Sequence, residues 1–195
     1  MVQAPTQKFT FEEYLVFDDG TDARYELVNG LLVPMNPPQG IHAIIAGFLF
    51  SVLYRYCEKQ GSLVASFSHG VRTGSGKSRL PDLVVMTEAQ SQAVLHESAI
   101  LDDAPLLAVE IVSPDNPSRD YREKRSEYAA RDIPEYWIVD PQQQKVTVLT
   151  LIDGLYEEAV LRKGDFLKSK ILPGLELSVE HMLKGRSQST TQSDE

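Results

Sequence analysis

Hydrophobic and polar positions change period several times along the chain, and each change marks an element. From Ile41 onward, Ile41, Ile44, Ile45, Phe48, Leu49, Val52, Leu53 and Tyr56 recur at the three-and-four spacing of a helix. The spacing predicts the longest helix of the chain, ending near Gln60-Gly61. Upstream, Thr10 and Glu13 have the spacing of a capping box, which predicts a short helix through Glu12–Phe17, closed by Asp18-Asp19-Gly20. The apolar runs Tyr25–Val28 and Leu31–Met35 flank Asn29-Gly30, a hairpin signal because both turn positions want positive φ. Asp153-Gly154, between Val146–Leu151 and Tyr156–Leu161, repeats that signal. Leu63–Phe67, Gly70–Arg72, Leu83–Met86 and Glu135–Val139 read as strands. Leu106–Val112 is apolar except at Glu110, the pattern of a central strand buried on both faces. Ser113-Pro114-Asp115-Asn116-Pro117 turns the chain, Ser118 stands where it would cap a helix to about Arg131, and Asp132-Ile133-Pro134 stops that helix. This order of elements indicates a mixed α/β sheet with helices on its faces. Residues 1–9 read as a flexible start, 10–185 as a single domain, and the polar stretch 186–195 as a disordered tail.

Composition narrows the function classes. With 195 residues the chain is long enough for a substantial core. The balance of 19 Lys+Arg against 28 Asp+Glu, a formal charge of −9, argues against a protein that coats nucleic acid by bulk charge. It leaves room for one that touches nucleic acid locally. One cysteine makes neither an internal disulfide framework nor a multi-cysteine zinc site. No uninterrupted apolar run reaches about 18 residues, and the start lacks the basic-then-apolar layout of a secretory leader. The expectation is a cytoplasmic protein with no membrane partner.

The informative residues are polar ones inside segments that otherwise want burial. Asp82 opens the strand in LPDLVV, and Glu110 interrupts LLAVEIV. Burying a carboxylate without a partner costs several kcal/mol, so Glu110 has either a basic partner or a cation. Asp and Glu at adjacent strand ends place hard oxygen donors about one strand spacing apart. That donor set suits Mg²⁺, which accepts one or two carboxylates plus waters and phosphate oxygens. The plainer readings are a strand-start turn residue for Asp82 and a buried ion pair for Glu110, with Lys124 or an arginine. The following segment, RDYREKRSEYAAR over 119–131, carries five basic and three acidic residues. Lys124 and Tyr128 are four apart on one face of it, which lets a lysine reach the end of the Glu110 strand.

LPDLVV, then AVEIVSP, then a helix with Lys124 and Tyr128, then IPEYWIVDP resembles the Uma-two family, a group of restriction-endonuclease-like proteins within the PD-(D/E)XK nuclease superfamily. YELVNG and the helix starting around His42 also match that family's layout, so the resemblance spans roughly 10–183. It implies a restriction-endonuclease-like mixed β-sheet core flanked by α-helices, with added β-hairpins, and a Mg²⁺ (or Mn²⁺) site at one sheet edge. By the same resemblance, Asp82 and Glu110 are metal ligands, helped by the Ile111 backbone carbonyl. The superfamily lysine normally follows two residues after the second acid. Here that position is Val112, and the resemblance moves the role to Lys124. Glu26 in YELVNG is the extra upstream carboxylate, reaching the metal through water. Tyr128 supports Lys124 or contacts phosphate, and His42 is a possible auxiliary residue, although its place at the helix start reads slightly better as solvent-facing. The implied reaction is metal-assisted phosphodiester hydrolysis of nucleic acid, with DNA favoured, by a homodimer. The alternatives are a non-catalytic module that binds nucleic acid or protein on the same scaffold, or a buried ion-pair network with no ligand.

Other signals carry less. Ser75-Gly76-Lys77-Ser78 lacks the upstream glycine and following helix of a phosphate-binding loop. Arg72, Lys77 and Arg79 read instead as a flexible basic stretch beside Asp82 that contacts the phosphate backbone, with Arg122 from the basic helix. His69, His96 and His181 show no metal spacing. Cys57 and Trp137 read as core.

Overall fold

A computed structural model describes residues 7–186. The expected disordered tail lies outside these residues, apart from Arg186, as do residues 1–6 of the expected flexible start. In chain order the elements are α1 (Phe11–Leu15), β1 (Tyr25–Val28), β2 (Leu31–Pro34), α2 (Gly40–Gln60), β3 (Leu63–Ser66), β4 (Gly70–Gly74), β5 (Lys77–Arg79) and β6 (Leu83–Thr87). Then follow α3 (Glu88–Ala93), β7 (Ile100–Leu101), β8 (Leu107–Ile111), a π-type helical stretch over Arg119–Lys124 that runs into α4 (Arg125–Ala130), and β9 (Glu135–Asp140). The chain continues through β10 (Lys145–Ile152), β11 (Leu155–Arg162), β12 (Phe166–Lys168), β13 (Glu176–Ser178) and α5 (Val179–Lys184).

The main sheet has six strands in the order β11-β10-β9-β8-β6-β3. It is mixed: β8 and β9 run parallel, and the other neighbours are antiparallel. Parallel neighbours need a crossover connection, and the helical segment 119–130 supplies it. Alternation of side chains along β8 divides the core. Leu107, Val109 and Ile111 face α2, where Ile45, Leu49, Leu53 and Cys57 meet them. Ala108 and Val112 face the opposite side, under Tyr128 of α4, with Tyr136 and Ile138 of β9. All five β8 residues are buried, as its apolar run predicts. Trp137 and Cys57 sit in the core as expected, and burial pushes the Cys57 thiol up to about 11.

A second sheet, β2-β1-β5-β4-β7, lies beside the first. Its β1–β2 hairpin turns at Asn29 (φ 52) and Gly30 (φ 82), as the Asn-Gly pair predicts; Asp153 (φ 49) and Gly154 (φ 79) do the same between β10 and β11. The Gly30 N–H donates to the Gly76 carbonyl at 2.9 Å, which locks this turn against the β4–β5 turn.

Several expectations are corrected. The stretch over 77–79 is a strand, because Ser78 and Arg79 are buried and pair with their neighbours, not a flexible loop. Ser118 makes no capping hydrogen bond; the helical segment opens on the wide π-type turn instead. Ile41 and Ile44 are exposed, so the apolar positions of α2 extend past its core face. That helix, 21 residues long and largely apolar, matches a membrane span by length and composition, although no uninterrupted apolar run announces it. Ile45, Leu49, Leu53 and Cys57 nevertheless seat it on the sheet as a core helix.

Leu49 is fully buried between α2 and the sheet. Leu49→Ala is expected to cost about 2–5 kcal/mol by leaving a cavity. Urea unfolding checks it: the midpoint falls and the slope stays unchanged.

Candidate active site

Pro81-Asp82 leads directly into β6, and Leu83 pairs with Val109 of β8. One step back along that register sets Asp82 opposite Glu110, the adjacency expected of two carboxylates at neighbouring strand ends. The Ile111 N–H donates to Asp82 Oδ2 at 2.7 Å. A residue's N–H and C=O leave a strand on the same side, so the Ile111 carbonyl shares the Asp82 edge. The other Asp82 oxygen, Oδ1, lies 2.8 Å from His42 Nε2 in the first turn of α2. His42 is therefore at this site and does not face solvent, contrary to the sequence reading. Its second ring nitrogen, Nδ1, is buried with no hydrogen-bond partner among the described residues.

Glu110 projects from β8 on the α4 face and is 3% exposed. The Tyr128 hydroxyl donates to its Oε1 at 2.7 Å, and Lys124 Nζ lies 2.6 Å from its Oε2. Lys124 thus reaches the Glu110 strand end, as its helix position predicts. Tyr128 is fully buried and its hydroxyl donates to Glu110, so in this structure it supports the carboxylate. Lys124 faces two more carboxylates, Asp120 at 3.4 Å and Glu26 at 3.6 Å. Burial alone would lower the lysine's pKa, but Glu110, Glu26 and Asp120 together raise it, so the ammonium stays charged. Glu26 is also served by Arg79 and Arg119, so Glu110 and Asp120 share the one ammonium and Glu110 is left under-compensated. Burial pushes its carboxyl up to about 8, Asp120, Asp82 and Glu26 add to that, and Lys124 opposes it only in part.

Asp120 is the member that the sequence reading missed. It sits four residues before Lys124 and is buried beside it. The available signal was that i, i+4 spacing, hidden because a basic amphipathic helix reads as a solvated face. The wide π-type turn brings both residues inward, and such turns recur at functional sites.

Glu26 is fully buried and organises the basic side of the cluster. Its Oε1 accepts the Leu80 N–H at 3.1 Å; its Oε2 takes Arg79 Nη1 at 3.0 Å and Arg119 Nη2 in a short contact. Burial opposes its ionisation, but Lys124, Arg119 and Arg79 hold its carboxyl down at about 2. Glu26 is thus a saturated ion-pair centre, which corrects its expected role as an outer carboxylate free to reach a metal through water.

The phosphate-contact residues divide. Arg79 is 1% exposed and spent on Glu26 and on a two-point contact with Glu127, at 2.8 Å from both Nε and Nη2, which removes it from that role. Lys77 also pairs with Glu127, at 3.3 Å. Arg72 pairs with Asp102 at 3.0 Å and stacks over Phe11. Arg122 is exposed.

The donor set tests which cation the residues suit. Among the described residues, no three His, Cys, Asp or Glu side chains form a ready-made ligand group. That does not suit structural Zn²⁺, and Ca²⁺ takes six to eight oxygens. Two neighbouring carboxylates and a carbonyl suit Mg²⁺ or Mn²⁺, which complete their shell with water and substrate phosphate. Asp82 and Glu110 each keep lone pairs beyond their present partners.

Glu26 generates a pH prediction. A folded pKa of about 2 against the ordinary 4.5 means that its stabilisation is present above the ordinary value and lost as pH falls from about 4.5 to about 2. The gap corresponds to on the order of 3 kcal/mol. Urea midpoints of the wild type are expected to fall across that window, and those of Glu26→Gln to fall less. At neutral pH Glu26→Gln is expected to cost about 3–5 kcal/mol, because Arg79 and Arg119 lose their buried counter-charge.

Comparison with known proteins identifies the family and the fold. The sequence model of the Uma2 family, described as "Putative restriction endonuclease", matches residues 11–180. A solved structure from Anabaena variabilis, described as "a putative nuclease belonging to DUF820", aligns with a TM-score of 0.77 at 22% identity, covering 91% of this chain and 98% of that one. At that identity the likeness is one of fold. No curated protein matches the chain.

Proposed function

Because the chain belongs to the Uma2 family of restriction-endonuclease-like proteins, we propose that it is a divalent-metal-dependent nuclease that hydrolyses phosphodiester bonds in DNA. One observation carries the reading. Asp82 and Glu110 stand at neighbouring strand ends, and the single ammonium of Lys124 faces three carboxylates within 4 Å. With Glu26 matched by Arg79 and Arg119, Glu110 and Asp120 share that one ammonium, and this local negative excess is of the kind a Mg²⁺ or Mn²⁺ ion offsets. Asp82 and Glu110 are the proposed ligands, with the Ile111 carbonyl.

When bound, a divalent cation supplies Lewis-acid polarisation of a phosphate oxygen and favours deprotonation of water. The chain's own groups do the rest. His42 and the Ile111 N–H fix both Asp82 oxygens. Tyr128 fixes Glu110. Lys124, charged by its surroundings, is the group that stabilises negative charge on the phosphate as it develops. Arg122 is the candidate for contact with the backbone. Glu26 keeps Arg79 and Arg119 in place beneath the site. We also propose that two copies associate, since two-fold assemblies are the commonest and the exposed Tyr54 and Phe67 rings pack on half-buried Phe50.

A second reading has its own support. The 2.6 Å Lys124–Glu110 contact gives Glu110 a basic partner without a metal, as in a non-catalytic binding module on this scaffold. Thermal melts and cleavage assays separate the two. Mg²⁺ is expected to raise the wild-type Tm and not that of Asp82→Ala. Cleavage of DNA is expected to fall about 100-fold or more in Glu110→Gln. Equal melting shifts in both proteins, or no cleavage by folded wild type, favour the binding module.

A further inference from the structure

A cavity of about 160 Å³ lies immediately beside the carboxylate cluster. Its walls come from three places: the start of α2 (Gln39, Ile41, His42), the chain leaving β8 (Val112) and the chain leaving β9 (Pro141, Gln142). It therefore opens at the carboxyl ends of the two parallel central strands, where open α/β sheets bind ligands. Its volume is well below the roughly 300–1,000 Å³ of a drug-sized pocket. That suits one flat ring system.

The chemistry of the wall suits the same guest. Ile41 and Pro141 offer apolar surface to ring faces, and Val112 lines the floor. The Gln39 side chain makes no helix-capping hydrogen bond, and Gln142 hydrogen-bonds through its backbone N–H. Both amides thus carry donors and an acceptor for the edge of a ring. His42 belongs to the wall and to the site at once: its Nε2 contacts Asp82, and its buried Nδ1 has no partner among the described residues. One imidazole ring separates the cavity from the proposed metal ligand.

We propose that this cavity is a subsite for a single unstacked nucleobase of the strand being cut. The inference rests on the nuclease reading and adds a substrate class to it. A base inside a continuous duplex is stacked on both sides and paired, so it cannot enter without being flipped out, at a cost of a few kcal/mol. A base in a single strand, flap or frayed end enters freely. Substrates with an unpaired nucleotide at the scissile phosphate are therefore the ones this enzyme prefers. The wall reads ring faces by packing and ring edges by amides, so the base preference is mild.

The test has two arms on the full-length protein. In the first, cleavage of a mixed-sequence DNA oligonucleotide is measured with Mg²⁺, single-stranded and as a duplex. In the second, 2′-deoxyadenosine 5′-monophosphate is titrated into metal-free protein and followed by amide NMR shifts. The expected results are single-strand kcat/KM about tenfold or more above duplex, and shifts centred on Ile41, Val112 and Gln142. Ile41→Ala, at a position already 41% exposed, is expected to raise KM on the single strand about tenfold with kcat unchanged, and Gln142→Ala to do so more weakly. Equal cutting of duplex and single strand, or unchanged KM in both variants, overturns the subsite while the nuclease reading stands. Nucleotide shifts at the cavity without cleavage of either DNA overturn the nuclease reading and leave a nucleobase-binding cavity on a protein that does not cut. No shifts at the cavity and no cleavage overturn both.

Discussion

A buried charge cannot be left unpaired, and the architecture of this protein turns on one such charge. Glu26, fully enclosed on β1, gathers Arg79 from β5, Arg119 from the start of the crossover segment and, more loosely, Lys124 five residues further on. These contacts tie the second sheet to the helical crossover between β8 and β9. Removing one partner strands the others in a low-dielectric interior, at a cost of about 3–5 kcal/mol. The geometry of the site follows from this constraint. With Arg119 and Lys124 held at the turn, Lys124 is aimed at Glu110, and Asp120 is carried in beside it.

The same cluster divides into a saturated half and an under-compensated half. Around Glu26 the cations prevail and the carboxyl stays ionised down to about pH 2. Around Glu110 burial and neighbouring carboxylates prevail and the acid is pushed up to about 8. A few ångströms thus separate a structural ion-pair centre from a place with unmet demand for positive charge. Under the proposed function, a cation would compete with a proton on Glu110 and with the close approach of Lys124. His42 and Tyr128 hold Asp82 and Glu110 in position whether or not the lysine moves.

Much of the scaffold was legible in the residues. Asn29-Gly30 and Asp153-Gly154 announce their turns because few other pairs take positive φ twice. The apolar run around Glu110 announces a central strand, Lys124 does reach Glu110, and Asp82 stands opposite Glu110 on the next strand. What was hidden depends on partners far apart in the chain. Arg79 looked like a loop cation because Glu26, 53 residues away, has no local trace. His42 looked solvent-facing because Asp82 lies 40 positions on. Strand β5 escaped because its buried positions, Ser78 and Arg79, are polar, so no alternation of apolar residues marks it. Asp120 escaped because a wide turn, not a regular helix, points it inward.

The central claim is that Asp82 and Glu110 share a cation whose place is now partly taken by Lys124. Anomalous diffraction from a crystal soaked in Mn²⁺ tests it most directly. The account predicts one anomalous peak within about 2.0–2.3 Å of an oxygen of each carboxylate, with the Lys124 ammonium withdrawn from Glu110. Diffraction that shows no peak there, with Lys124 still in contact with Glu110, would contradict it.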